Sequence, residues 1–170
     1  MDFRSAIRDV PNFPKEGIVF KDITPLLKEP AIFRSAVDIM VKKLAEKQVD
    51  FILGIESRGF IFSPILAYQL NAGFIPVRKA GKLPWLTHQV AYSLEYGEAV
   101  LEIHQDSIPK GARVAIVDDL LATGGTGKAC AELTEKVGGE VAIFAFLVEL
   151  SFLKGREKLS DYDVFSLVQY

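Results

Sequence analysis

Short apolar runs that alternate with segments of helical periodicity do most to narrow the possible folds of this chain. The run FILGI, Phe51–Ile55, is continuously apolar and ends at the polar sequence ESRG. Residues 113–119 (RVAIVDD) and 140–150 follow the same plan. Strands that are apolar on both faces are typical of parallel sheets covered by helices. The sequence therefore predicts an α/β fold, a mostly parallel twisted sheet flanked by helices.

The spacing of apolar residues predicts the remaining elements. Residues 31–47 repeat apolar side chains at offsets of three and four, which indicates one helical face. Further helices are predicted at 60–70 and 126–137, and further strands at 74–79, from Glu98 onward and at 164–168. Pro64 fits its helix only within the first turn. Residues 80–92 have no clear period and contain glycine and proline, so they are predicted to form a long functional loop.

Composition and charge exclude several classes of protein. The length of 170 residues and the apolar content of 49% fit a single domain at 1–170. A formal net charge of -2 argues against a nucleic-acid partner, because nucleic-acid-binding proteins are usually basic. The single cysteine cannot form an internal disulfide. We expect a cytoplasmic protein without a membrane partner, because the first residues lack the apolar core of a signal peptide and no apolar run approaches the ~18 residues of a membrane span.

The stretch VDDLLATGGTGKA, residues 117–129, carries the strongest chemical signal. It is not a nucleotidase-type P-loop, because Ala122 and Ala129 stand where that motif requires glycine and then serine or threonine. It is not a dinucleotide fingerprint either, because Cys130 stands at the final glycine or alanine position. Another ligand must therefore explain two adjacent acids followed by Thr-Gly-Gly-Thr.

Two acids followed by a loop of glycine and threonine fit a ribose that carries a phosphate. The amides of Gly124 and Gly125, two threonine hydroxyls and a helix N-terminus can together hold a phosphate. Asp118 and Asp119 would repel that phosphate, but their carboxylates can accept hydrogen bonds from ribose hydroxyls. A plain strand–turn–helix junction would explain the glycines, whereas it leaves the paired acids and flanking threonines unexplained.

The sequence GIESRGF, residues 54–60, predicts a second anion site at another strand end. Ser57, a run of backbone amides and the guanidinium of Arg58 can hold an anionic group. For this motif alone, a surface turn with a solvated arginine is an equal alternative. In a parallel sheet, ligands bind beyond the carboxyl ends of the strands. Two such sites together predict a ligand with two phosphate groups separated by a sugar.

These stretches together resemble a known family. AIVDDLLATGGTG is similar to the phosphoribosyl pyrophosphate (PRPP) motif of the type I phosphoribosyltransferases. The stretches that resemble the family's adenine branch, in its order and over nearly the whole chain, are FPKEGIVFKDITPLL, ESRGF, RKAGKLP, YSLEYG and LVELSFLKGREKL. The resemblance implies a type I phosphoribosyltransferase fold with a small N-terminal hood, at about residues 1–30, and a flexible catalytic loop.

The resemblance also implies a reaction and a set of binding residues. Adenine and PRPP would give AMP and pyrophosphate, a step of purine salvage. The 5-phosphate would lie against Ala122, Thr123, Gly124, Gly125 and Thr126, and the ribose hydroxyls against Asp118 and Asp119. The pyrophosphate would lie against Glu56, Ser57 and Arg58, helped by Lys79 and Lys82. Tyr96 would help to close the loop.

The resemblance implies that adenine is recognised by the hood and by one residue beside the acids. Backbone atoms near Val19 and Lys21 would contact the base edge, and Phe20 would stack on the base. Leu120 would form the other wall. Without the resemblance, Val19 and Phe20 would be assigned to the core, as most apolar residues in apolar stretches are.

Glu95 and Arg58 are the predicted catalytic residues. The carboxylate of Glu95 can take the ring N–H proton that adenine loses, although a solvated loop acid is the alternative. Mg²⁺ is expected to bind together with PRPP, with no direct protein ligand assigned. The family implies a homodimer.

Two other functions stay open alongside this one. A phosphoribosyltransferase for a 6-oxopurine is disfavoured by the hood sequence, and a non-catalytic PRPP-sensing regulator by the acidic charge balance and the complete loop motif. His88 and His104 have no partner at metal-ligand spacing. Cys130 occupies an apolar-looking helix position and is predicted to be a core residue rather than a nucleophile.

Overall fold

The computed structural model describes residues 1–93 and 98–170. The chain forms two compact units, Met1–Ile39 and Met40–Tyr170, which are described separately. Within the described ranges, no helix combines the length and the apolar character that a membrane crossing requires.

The N-terminal unit is built around a β-hairpin. A short 3-10 helix, Arg4–Ala6, precedes β1 (Arg8–Pro11), and β1 pairs in antiparallel fashion with β2 (Val19–Asp22). Helix α1 (Thr24–Lys28) follows, and α2 (Pro30–Ala45) runs across the division between the units. An ion pair of 2.6 Å between Arg8 and Asp22 joins the two ends of the hairpin. Sequence patterns did not predict the hairpin, because strands of four residues are too short to show a period.

The second unit contains a seven-stranded sheet in the order β5-β6-β4-β3-β7-β8-β9. Its strands are β3 (Phe51–Ile55), β4 (Gly73–Lys79), β5 (Thr87–Ser93), β6 (Glu98–His104), β7 (Arg113–Leu121), β8 (Glu140–Glu149) and β9 (Val164–Gln169). Strands β4, β3, β7, β8 and β9 run parallel, and β6 and β5 add an antiparallel edge. The predicted mostly parallel sheet is confirmed.

Two helices that follow strands pack against the sheet. Helix α3 (Gly59–Leu70) contacts β3, β4 and β7, and α4 (Gly125–Lys136) contacts β7 and β8 as well as β5 and β6. The central strands are almost wholly buried, as their continuous apolar runs predict. The helices at 31–47, 60–70 and 126–137 and the strands at 74–79 and 164–168 were predicted to within two residues at each end.

The prediction of a long loop at 80–92 was wrong in its second half. Residues 87–93 form strand β5, which pairs with β6 from Thr87 opposite His104 to Ser93 opposite Glu98. The glycine and proline that suggested a loop, Gly81 and Pro84, both lie before the strand. Pairing with β6 stabilises a segment whose own pattern of apolar residues is weak.

Pro64 was expected within the first turn of its helix, but it lies inside α3. A proline there removes a backbone hydrogen bond. Burial of Phe62 and Leu66 on the same helix offsets that loss.

Candidate active site

The predicted anion-binding residues meet at the carboxyl ends of β3 and β7. These strands pair in parallel, with Gly54 opposite Val117, so the segments that follow them lie side by side. A cavity of about 300 Å³ opens there, and we call it the larger cavity. It is lined by Glu56, Ser57, Arg58, Lys79, Lys82, Asp118 and Asp119. The structure thus brings together residues from three stretches of the chain that were singled out by sequence.

A second cavity, of about 70 Å³, surrounds the predicted phosphate loop, residues 122–126. We call it the smaller cavity; its lining is completed by Asp118, Leu120, Leu121, Gly127 and Phe146. Helix α4 begins at Gly125, so its first residues belong to this lining. Amides at a helix N-terminus stabilise an anion. Asp118 lines both cavities and therefore lies where the two predicted phosphate sites would be joined.

Strand β7 is longer than predicted and carries both acids within it. The prediction ended the strand at Asp119, but pairing with β8 continues through Leu120 opposite Val148 and Leu121 opposite Glu149. The two acids are therefore held by the sheet rather than by a flexible turn. Their position relative to the phosphate loop is set by a regular strand.

The phosphate loop packs directly on a distant segment of backbone. Gly124 has a φ of +79°, a conformation that glycine adopts without strain. A Cβ atom on Gly124 would lie 2.3 Å from the carbonyl oxygen of Gly155. Conversely, a Cβ atom on Gly155 would lie 2.1 Å from the carbonyl oxygen of Ala122. Sequence reasoning did not find Gly155, because no local pattern links it to a loop about thirty residues earlier.

An ion pair anchors the segment that carries Gly155, a 3-10 helix spanning Gly155–Leu159. Arg156 donates to both carboxylate oxygens of Glu149, at 2.5 and 3.1 Å, and to the carbonyl of Val164 at 2.8 Å. The Ser166 hydroxyl donates to the same carboxylate at 2.6 Å. The hydrogen bond from Arg156, followed by that from Ser166, outweighs partial burial and lowers the pKa of Glu149. The support beneath the phosphate loop is thus fixed to the ends of β8 and β9.

Arg58, at the N-terminus of α3, pairs with Asp119 across the larger cavity. Its Nε atom donates to Asp119 Oδ2 at 2.5 Å, and the Asp119 side chain is 7% exposed whereas that of Arg58 is 45% exposed. Burial tends to lower the pKa of Arg58, but the charge and hydrogen bond of Asp119 outweigh it, so the pKa is raised. Arg58, which is predicted to bind pyrophosphate, is therefore in contact with Asp119, which is predicted to bind the ribose.

Asp118 lies in an environment that disfavours its charge. Burial is the main reason that its pKa is raised well above the usual value, and the charge of Asp119 adds to the effect. Its Oδ1 atom accepts a hydrogen bond of 2.9 Å from the Asp119 amide. A carboxyl group in this setting gains from a ligand that brings hydroxyl donors or a cation.

Glu56 is the shared hydrogen-bond acceptor for the basic residues on one side of the larger cavity. It accepts hydrogen bonds from Lys82 Nζ at 2.5 Å, from Arg78 Nε and Nη2 at 3.3 Å each, and from the Lys79 amide at 3.2 Å. Burial raises the pKa of Glu56, but these donors outweigh it and lower the pKa to about 2. Arg78 was not among the predicted site residues. The Glu56–Ser57 peptide bond is cis.

The residues predicted to bind adenine are distributed over the two units. Val19, Phe20 and Lys21 lie on β2 of the N-terminal unit, where Phe20 contacts Phe13 edge to face with ring centroids 5.2 Å apart. Val19 is 45% exposed, so it is not the core residue that composition alone suggests. Leu120, in the second unit, lines the smaller cavity.

Other predicted residues are placed as follows. Glu95 and Tyr96 lie outside the described residues. Cys130 is fully buried in α4, and burial, followed by the charge of Asp118, raises the pKa of its thiol, so it is a core residue. Thr126 Oγ1, in the phosphate loop, donates to the Tyr92 hydroxyl of β5 at 3.3 Å. In the part of the chain that the structure covers, no cluster of three or more acidic, histidine or cysteine side chains could hold a metal ion.

Comparisons with known proteins agree with this geometry. Residues 22–169 match the model of the phosphoribosyl transferase domain family. An adenine phosphoribosyltransferase of Clostridium botulinum (strain Alaska E43) is 58% identical over 170 residues, which cover 100% of this chain and 99% of the relative. The structure of the Thermoanaerobacter pseudethanolicus adenine phosphoribosyltransferase aligns with a TM-score of 0.96 at 51% identity, covering 99% of this chain and 98% of that one.

A third comparison includes bound ligands. The adenine phosphoribosyltransferase of Saccharomyces cerevisiae, solved with an imino-altritol bisphosphate and adenine, aligns with a TM-score of 0.94 at 44% identity. The alignment covers 98% of this chain and 96% of the yeast chain. The yeast structure therefore holds a compound with two phosphate groups together with the base.

Proposed function

The chain belongs to the phosphoribosyl transferase family, in its adenine phosphoribosyltransferase branch, and from this we propose how its residues act. The reaction transfers the 5-phosphoribosyl group of PRPP to adenine and yields AMP and pyrophosphate. The bond between the anomeric carbon and pyrophosphate breaks, and a bond from that carbon to the ring nitrogen of adenine forms. The observation that carries the proposal is the pair of anion-binding cavities that share Asp118.

The smaller cavity is proposed to hold the 5-phosphate. Its loop, residues 122–126, offers backbone amides, the hydroxyls of Thr123 and Thr126, and the N-terminus of α4. These groups donate hydrogen bonds, and the helix N-terminus stabilises negative charge. The close packing of Gly124 on Gly155 keeps the loop in one conformation, which reduces the entropy lost when phosphate binds.

Asp118 and Asp119 are proposed to bind the ribose hydroxyls. Asp118 lies between the two cavities, which is where a sugar joining two phosphate groups must lie. Hydroxyl donors would satisfy a carboxyl group whose charged neighbours are Asp119 and Arg58.

The larger cavity is proposed to hold pyrophosphate. Ser57, Arg58, Lys79 and Lys82 line it and provide hydroxyl, guanidinium and ammonium donors. Positive groups held in place at the leaving group stabilise the charge that develops as pyrophosphate departs. Glu56 positions the cations, because it accepts hydrogen bonds from the Lys82 ammonium and from the Lys79 amide.

Mg²⁺ would bind together with PRPP and would supply positive charge that stabilises the leaving pyrophosphate. The carboxyl groups of Glu56, Asp118 and Asp119 line the larger cavity, but among the described residues they do not form a cluster that could hold the ion by themselves, so substrate oxygens and water would complete its coordination. Mg²⁺ retains several waters and binds readily through substrate phosphates. A dedicated cluster of protein ligands is therefore not required.

The residues that contact adenine, and the side chain that takes its proton, are predictions. Val19, Phe20, Lys21 and Leu120 are proposed to contact adenine, and the Glu95 carboxylate is proposed to take its ring N–H proton. Tyr96 is proposed to help close the site. We also propose that 1–170 acts as one phosphoribosyltransferase domain, that the protein is cytoplasmic, and that it forms a homodimer; the family match across both units supports the first of these.

A steady-state assay with PRPP and Mg²⁺ tests the proposed function. Adenine is expected to be converted to AMP with a kcat/KM far above those for hypoxanthine and guanine. Turnover of hypoxanthine without turnover of adenine would assign the chain to the 6-oxopurine enzymes. PRPP binding without turnover of any base would indicate a sensor instead.

A further inference from the structure

Glu102 is a buried acid on β6 that lies outside both cavities. Its residue exposure is 2%, in a strand whose neighbouring positions Leu101 and Ile103 are also buried. A charged side chain is rarely buried unless it is paired or hydrogen-bonded, because desolvation is costly. The burial of Glu102 therefore requires hydrogen-bond partners, which the alternating sequence pattern of the strand does not reveal.

The donors to Glu102 come from the backbone at 82–83 and from two side chains of β5. The amides of Lys82 and Leu83 both donate to Glu102 Oε1 at 2.8 Å. On the other oxygen, Gln89 Nε2 donates at 3.2 Å and Thr87 Oγ1 at 3.4 Å. Burial raises the pKa of Glu102, but the backbone amides outweigh it and keep the pKa below the usual value. The carboxylate therefore stays ionised and holds the segment at 82–83 against the sheet.

Lys82 is held at three points, and each point has a different partner. Glu102 accepts from its amide, Arg78 Nη1 donates to its carbonyl at 3.2 Å, and its ammonium donates to Glu56 at 2.5 Å. Glu102 also lies opposite Arg78 on β4 and opposite Gln89 on β5. Residues directly opposite each other share one face of a sheet. One polar row across three strands therefore supports the cationic wall of the larger cavity.

We propose that Glu102 is a positioning residue that fixes the backbone at 82–83 and thereby places the Lys82 ammonium for the pyrophosphate group. The inference rests on the proposed function, because it takes Lys82 to be a pyrophosphate ligand. Glu102 does not line the larger cavity, so it acts through Lys82 rather than on the ligand. Its loss should weaken binding of pyrophosphate and leave binding of AMP, at the phosphate loop, unchanged.

Binding measurements on Glu102→Gln and Glu102→Ala test the proposal. Glutamine keeps an acceptor for the two amides but loses the charge, so pyrophosphate with Mg²⁺ is expected to bind about 5-fold more weakly. Alanine removes every acceptor, and a loss of more than about 10-fold is expected. The Kd of AMP is expected to change by less than about 2-fold in both variants. Glu140→Gln, at the exposed first position of β8, is the matched control and should change the Kd of neither pyrophosphate nor AMP.

A double-mutant cycle with Lys82→Met separates positioning from a general effect on the fold. If Glu102 acts through Lys82, Glu102→Gln should have no further effect on pyrophosphate in the Lys82→Met background. The proposal would be overturned if the losses of pyrophosphate affinity in the double variant were additive. It would also be overturned if the Glu102 variants lost affinity for AMP and pyrophosphate equally, or if their pyrophosphate Kd were unchanged. Pyrophosphate binding without AMP formation by the wild type would overturn the proposed function alone. Absence of pyrophosphate binding by the wild type would overturn the role of Glu102 as well.

Discussion

Replacing Gly155 with alanine should displace the phosphate loop without touching a ligand-binding side chain. The added Cβ atom would lie 2.1 Å from the Ala122 carbonyl oxygen and 2.9 Å from the Gly124 nitrogen. Real Cβ atoms essentially never come within 3.0 Å of such atoms, so the two segments must separate by about 0.9 Å, from 2.1 to 3.0 Å. Both contacts are with backbone, so no flexible side chain can move aside. Gly155 is not among the glycines with positive φ, so the effect of alanine there is steric.

A displacement of this size has a predictable functional cost. Misplacing a bound group by about 1 Å can reduce catalysis by about 100-fold. We therefore expect Gly155→Ala to raise the Kd of AMP and the KM of PRPP by about 10- to 100-fold. Overpacking should also cost about 1–3 kcal/mol of unfolding free energy. Pyrophosphate binding at the larger cavity is expected to stay within about 2-fold of the wild type.

Calorimetric titration of AMP and of pyrophosphate, with urea unfolding in parallel, distinguishes these effects. Gly111→Ala is the control, because Gly111 has a φ of +77° and open space around its Cβ position. The control should lose stability through backbone strain, by about 1 kcal/mol, while AMP binding is retained. A Gly155→Ala variant that binds AMP as tightly as the wild type would refute the packing argument. An equal loss of AMP and pyrophosphate affinity would refute its restriction to one cavity.

Three further predictions concern the acids. Asp118→Asn and Asp119→Asn should each raise the Kd of AMP about 10-fold and leave the Kd of inorganic phosphate unchanged in the same titrations. The reason is that the acids would contact the ribose and not the phosphate. An equal loss of affinity for both ligands would contradict this. The pKa of Glu56 is lowered from 4.5 to about 2 on folding, so its ionised form should stabilise the protein above about pH 4.5, and that contribution should disappear as the pH falls towards 2. Urea unfolding across this range should show a weaker pH dependence for Glu56→Gln, and parallel curves would argue against the network. Glu95→Ala should lower kcat by about 100-fold while the PRPP Kd is retained, and an unchanged kcat would remove Glu95 from the mechanism.

The parts of the fold that the sequence predicts are those stabilised by local patterns. The centres of β3 and β8 are continuous apolar runs, and burial on both faces follows directly from that composition. Strand β5 has a weak pattern and depends on its pairing with β6, so its residues 87–92 were assigned to a loop. Tertiary contacts override weak local preference in such segments.

The candidate site shows the same division between local and long-range information. Asp118 and the loop at 122–126 were predicted because acids, glycines and threonines occur together in one stretch, and the structure places them around the smaller cavity. Gly155 and Glu102 were missed because each acts on a segment remote in sequence, 31 residues away for Gly124 and 20 for Lys82. An isolated glycine, or an acid in an alternating strand, carries no signal of the backbone that it contacts.

The ion pair between Arg58 and Asp119 and that between Lys82 and Glu56 give the larger cavity an internal balance of charge. Its lining contains three acidic and three basic side chains, so the cavity does not carry an excess of positive charge. Under the proposed function, ligand binding there would be an ion exchange, in which phosphate oxygens take over guanidinium and ammonium groups that carboxylates already hold. The affinity of such a site depends on the difference between two sets of contacts. A polyanion that arrives with its own counter-cation would satisfy both halves of the exchange, whereas a bare anion would take Arg58 from Asp119 and Lys82 from Glu56 without replacing either positive charge.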